Sequence, residues 1–209
     1  MNLPSFSLQT MIGLTGISLL LSVTLLRVLI FFKLKKQTSY FISILLFAVS
    51  FISFSGDSIN FYFRGLFNDL SITTLILLVA YLIQPGTNKN QTYSVFFLIT
   101  ITGLFFYPTA LGLGPIDPYS WGFINKAHGL SAPIIFLILL AGLMLFSLIK
   151  NLSLLLLCLV LSTLAYQLGL LESKNLWDYL FDPLIFIYAL VTTSCYLISS
   201  AASGRAAKD

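Results

Sequence analysis

Pro133-Ile-Ile-Phe-Leu-Ile-Leu-Leu-Ala-Gly-Leu-Met-Leu-Phe-Ser-Leu-Ile149, one Lys150, and then Asn151-Leu-Ser-Leu-Leu-Leu-Leu-Cys-Leu-Val-Leu-Ser162 form the stretch whose reading decides the fold. Both halves are apolar without the period-two alternation of a barrel strand. In hydrocarbon a helix satisfies its own N–H and C=O groups, which an open strand does not. Two apolar helices joined at a lone lysine read as a transmembrane hairpin.

The same pattern extends in both directions. Runs without Asp, Glu, Lys, Arg or His cover residues 1–26, 37–56, 70–88, 90–116, 129–149, 151–171 and 183–204, the shortest nineteen residues long. Crossing about 30 Å of hydrocarbon takes about 20 residues at 1.5 Å each. The expected spans are therefore about 10–32, 39–55, 67–84, 93–112, 132–149, 152–171 and 183–202 of a single polytopic domain, residues 1–209. Composition agrees. Of 209 residues 58% are hydrophobic and 9% charged, against about 25% charged in soluble domains. That excludes ordinary cytosolic enzymes, nucleic-acid binders and disulfide scaffolds, and predicts an all-α integral membrane protein, a seven-transmembrane-helix bundle. The first run has no basic leader and is followed by Lys33-Leu-Lys-Lys36, so it reads as a permanent span and not a signal peptide.

Charge sets the expected orientation. Lys33, Lys35, Lys36, Lys89, Lys150, Arg205 and Lys208 fall on one side with Asp209, while Asp57, Arg64, Asp69, Asp117, Lys126, His128, Glu172, Lys174, Asp178 and Asp182 fall on the other. Lys and Arg are retained in the cytoplasm, so the N-terminus is expected outside and the C-terminus inside. Compact loops and small size suggest a bacterial inner membrane. Arg27, in the inner third of the first span, is expected to snorkel towards Lys33 and Lys35. Trp121 and Trp177 are expected as interfacial anchors in the outer loops.

The inner loops are minimal, so chemistry is expected at the outer face. The candidate site there comprises Asp57, Arg64, Asp69, Glu172, Asp178 and Asp182. Some of these acids also suit helix caps. Asp182-Pro183 opens the last span with an N-cap acid and proline in the first helical position, and Asn68-Asp69 opens the third. Asp117-Pro118 reads as a turn. Arg64, among Phe61, Tyr62, Phe63, Leu66 and Phe67, suits either an ion pair with Asp57, Asp69 or Asp178 or a phosphate clamp. Lys174, Asp178 and Asp182 recur every four residues opposite Trp177, Leu180 and Phe181, the pattern of a short amphipathic helix on the lipid surface. Two polar tracks are expected: Ser50 and Ser53 leading to Asp57, and Thr163 and Gln167 leading to Glu172.

Catalytic signals are thin. His128, Ser131 and Asp117 have triad-type chemistry, but nothing marks a nucleophile elbow or an oxyanion hole. One histidine excludes multi-histidine zinc and bis-histidine haem sites. Clustered carboxylates leave only a hard cation to consider. No P-loop or GxGxxG is present, and neither a metal nor a cofactor is expected. Leu66-Phe-Asn-Asp-Leu70 echoes Leu180-Phe-Asp-Pro-Leu184, as a three-one-three helix arrangement would require. That arrangement is also the topology of the SWEET sugar transporters, whose mid-helix prolines have no counterpart here, and no family membership follows. The leading expectation is a protein working at the extracytoplasmic face, binding or processing a lipid headgroup or lipid-linked envelope component. Its rivals are a small-solute transporter and a non-catalytic subunit that docks a membrane partner through its outer loops.

Overall fold

The computed structural model describes residues 7–54, 56–83, 89–124 and 131–206. The chain is all-α apart from one two-residue hairpin. Its elements are α1 (Leu8–Phe31), α2 (Lys36–Val49), β1 (Ser53–Phe54), β2 (Asp57–Ser58), α3 (Ile59–Phe67), α4 (Ile72–Ile83), α5 (Lys89–Pro108), α6 (Ser131–Ile149), α7 (Ser153–Gln167), α8 (Trp177–Leu180) and α9 (Pro183–Ala206). A π turn over Thr109–Leu113 extends α5, and a 3₁₀ turn covers Tyr119–Gly122. Each charge-free run holds one long helix. Among the described residues three stretches are long and apolar enough to cross a membrane: Leu8–Phe31, Asn90–Leu113 and Pro183–Ser200. The apolar helices Lys36–Val49, Ile72–Ile83, Pro133–Ile149 and Ser153–Gln167 are shorter.

The helix ends have local causes. Ser7 caps α1, its hydroxyl accepting the Thr10 amide. α1, α6 and α7 close in one way: Lys33, Asn151 and Gly169 take positive φ while the next amide reaches back to Leu29, Ser147 and Ala165 respectively. The helices of the second and sixth expected spans stop short of their apolar runs, α2 at Val49 and α7 at Gln167. The second ends at Val49 because Ser53–Phe54 pairs antiparallel with Asp57–Ser58, the chain turning at Gly56 with φ 117°. The third begins a few residues later than expected: α3 ends at Asn68, with φ 61°, and α4 starts at Ile72, where Ser71 accepts the Thr74 amide. Asp69 therefore does not cap that helix.

Large apolar side chains cover the outside, and small polar ones share the interior with an apolar core. Phe31, Phe41, Ile44, Ile138, Ile149 and Ile198 face outward, while Ser18, Ser22, Ser39, Ser43, Ser50, Thr73, Thr100, Ser147 and Ser162 are buried. α1 packs along α2, with buried serines on both helices, and small side chains let two backbones approach closely. α5 lies against α9 and α7, and α4 against α7 and α1. Gly103 marks a close contact of α5 with α9: a Cβ there would come within 2.2 Å of the Phe186 ring.

Candidate functional site

The carboxylate-rich end of the bundle is built around Arg64 on α3. Its guanidinium grips Asp69 through Nε–Oδ1 at 2.6 Å and Nη2–Oδ2 at 3.0 Å, and Nη2 also meets Glu172 Oε1 at 2.7 Å. The Thr10 hydroxyl donates to the same Glu172 oxygen at 3.3 Å. Gly13 of α1 lies directly against the pair, and a Cβ there would sit 2.1 Å from Asp69 Oδ1. α1, α3 and the segment after α7 are thus tied together by charge where the backbone leaves room. Of the three partners weighed for Arg64, only Asp69 is used; Glu172 was not among them.

The Arg64 hydrogen bond holds the Glu172 carboxyl below its ordinary value, and the bond to Asp69 raises the Arg64 pKa. A carboxyl lowered on folding adds stability above its unfolded pKa, about 4.3, and loses it as pH falls through the folded value. Glu172 is 54% exposed, so the contribution is small. Wild type is expected to melt slightly above Glu172→Gln at neutral pH. The gap should close between about pH 5 and pH 3; a gap unchanged at pH 3 would refute this assignment.

The other predicted acids do not join this group. Asp182 is buried and bridges two helices: Oδ1 accepts the Ile185 amide of its own α9 at 2.9 Å, and Oδ2 accepts the Ser71 amide at 2.9 Å and the Thr74 hydroxyl at 2.6 Å. Asp178 accepts the Tyr119 hydroxyl at 3.1 Å and that of Ser173. Burial, with the Asp178 charge behind it, pushes Tyr119 up to about 12, so it stays a donor. Asp57 is exposed in the hairpin. Asp117 forms the expected turn by accepting the Tyr119 amide at 3.0 Å.

The amphipathic-helix expectation for 174–182 is corrected. Only Trp177–Leu180 is helical, so Lys174, Asp178 and Asp182 share no helical face, and Leu180 and Phe181 are buried in the bundle. Asn175 fixes this segment by accepting the Trp177 amide and donating to the Tyr119 carbonyl. Trp177 turns inward, stacking on Phe136 at 4.4 Å and donating Nε1–H to the Pro118 carbonyl at 2.8 Å. Trp121 is partly buried against the same core.

Neither polar track is continuous. α2 ends before Ser50, and Ser53 lies in the hairpin. Ser50 instead donates to Ser18 at 2.8 Å, and Asn60 Nδ2 donates to the same oxygen at 3.0 Å. This knot joins α1, α2 and α3. Thr163 bonds back to the Leu159 carbonyl, Gln167 is exposed, and α7 stops there, short of Glu172. His128 and Lys126 lie outside the described residues. Among the described residues no three His, Cys, Asp or Glu side chains converge, so the carboxylates do not form the cation cluster considered above.

One large concavity has no counterpart in the sequence reading. A cavity of about 1340 Å³ lies between α1, α3, α4, α5, α7 and α9. It runs from Phe67, Thr74 and Leu184, near the Asp182 bridge, to Arg27, Tyr81 and Tyr188. Leucines and aromatics form most of its wall, and Gln91, Thr92 and Ser153 lie with Arg27 towards its polar end. Arg27 does not run towards Lys33 and Lys35. Nη1 donates to the Tyr188 hydroxyl at 2.6 Å, and the guanidinium carbon stands 4.7 Å over the Tyr81 ring and 5.2 Å over that of Tyr188. A second, smaller apolar cavity of about 370 Å³ lies beside Trp121, Phe136 and Trp177.

Compared with known proteins, the chain matches no family model, no curated protein and no solved structure.

Proposed function

We propose that the protein is a seven-helix polytopic membrane protein, N-terminus outside and C-terminus cytoplasmic, of a bacterial inner membrane, and that it binds a lipid-like amphiphile within its helices. The observation that carries this is the cavity of about 1340 Å³ with an apolar wall and one polar end. Sites for drug-sized ligands occupy about 300–1,000 Å³, so this one has room for long chains. The apolar outer surface and the buried small polar side chains support the membrane setting, and the short helices α2 and α4 are extended at the acidic end by the hairpin and by α3.

Among lipid-directed readings, the cavity is preferred to the carboxylate-rich rim. Arg64, the rim guanidinium suited to clamp a phosphate, already has Asp69 and Glu172 as partners. Displacing two carboxylates for one anion gains little. The test is to fill the space. Ala80 lines the cavity, and Ala80→Trp is expected to abolish co-purification and rebinding of phospholipid, followed by native mass spectrometry, while the helical circular dichroism stays intact. Equal lipid retention by wild type and Ala80→Trp would rule out the cavity as the binding site.

A further inference from the structure

Resting on that reading, we infer that the occupant is an anionic lipid whose phosphate or carboxylate is held by Arg27 at the polar end of the cavity while its chains lie along α1, α4 and α9. Among the described cavity-lining residues Arg27 is the only charged one. The sequence has seven acids. Six of them, Asp57, Asp69, Asp117, Glu172, Asp178 and Asp182, are described, and none lies within ion-pair distance of Arg27. Its neighbours are instead two tyrosines, which orient a guanidinium without neutralising it. A guanidinium carries five N–H donors in a planar fork. One is engaged by Tyr188.

An arginine within a span is costly unless an anion or water meets it. The arrangement supplies the complement of a phosphate: a fixed fork that binds two oxygens in parallel, backed by aromatic faces. Thr24, Arg27 and Val28 of α1 line the cavity and are exposed, so a lipid has a way in beside α1. From Leu20 to Val28 the α1 wall extends about 12 Å at 1.5 Å per residue, which gives the chains a wall to lie along below the headgroup. In the proposed orientation the polar end sits at the depth of the inner leaflet, where anionic lipids concentrate.

The experiment titrates full-length protein in mild detergent with phosphatidylglycerol and, separately, with phosphatidylcholine of identical chains, and reads binding by native mass spectrometry. Wild type is expected to prefer phosphatidylglycerol by about tenfold, the scale of one desolvated charge pair. Arg27→Gln should equalise the two lipids. Arg27→Lys, which keeps the charge but loses the fork, should retain part of the preference and controls for folding. Equal affinities in wild type, or a preference that survives Arg27→Gln, would overturn the anion assignment. If Ala80→Trp still abolished both lipids in that case, the cavity reading would stand alone; unchanged binding in Ala80→Trp would overturn both.

Discussion

Asp182→Ala is expected to be the most destabilising single substitution at the carboxylate-rich end, lowering stability by about 3–5 kcal/mol. The carboxylate is 6% exposed and serves three donors on two helices: the Ile185 amide of α9, and the Ser71 amide and Thr74 hydroxyl at the start of α4. Alanine leaves all three in an interior that water does not reach, and each unsatisfied buried group costs about 1–3 kcal/mol. Part is recovered, because Thr74 can turn to the Ser71 hydroxyl 3.0 Å away. For a chain of this size the loss is about 10 °C in melting temperature. Asp182→Asn should fall between, since its single amide oxygen serves one helix while its NH₂ faces donors of the other. Thermal melts in detergent followed by circular dichroism check both. An Asp182→Ala melt within a degree or two of wild type would refute the bridging role.

Arg64→Ala comes second, with an expected loss of about 3 kcal/mol. The Arg64 and Asp69 side chains are 14% and 7% exposed, so removing the cation strands a carboxylate that water barely reaches. Breaking a buried pair from one side costs more than replacing both members. Arg64→Leu combined with Asp69→Leu should therefore recover most of the loss. Arg64→Lys should recover only part, because a single ammonium does not reproduce the paired grip on Asp69. Glu172→Ala should cost under about 1 kcal/mol, as an exposed partner does. If the double variant melted below Arg64→Ala, the pair would be holding α3 on α1 through more than compensated charge.

What the sequence made legible was local. Charge-free runs located every long helix, and Asp182-Pro183 announced the start of α9. The end of α2 was hidden because Phe51, Ile52 and Phe54 keep the run apolar after the helix has stopped, so hydropathy gave no sign of the hairpin. The break at Asn68 was carried by one residue suited to positive φ. Partners were the least legible. Glu172 reaches Arg64 over a separation of 108 residues, and Ser18 meets Asn60 over 42; no periodicity encodes such meetings. A signal for the serine knot did exist, since Ser18 and Ser22 share one face of α1 at a spacing that suits close helix contact. Arg27 was visible as a charge in a span, but the space in front of it arises only when six helices assemble.

The bridge at Asp182 also bears on the order of assembly. The Ser71 amide finds its acceptor 111 residues further along the chain. During synthesis α4 therefore emerges with its first turn lacking that acceptor, and stays so until residue 182 has been made. Arrival of α9 is the event that latches it, and the chamber holding Arg27 takes shape only then.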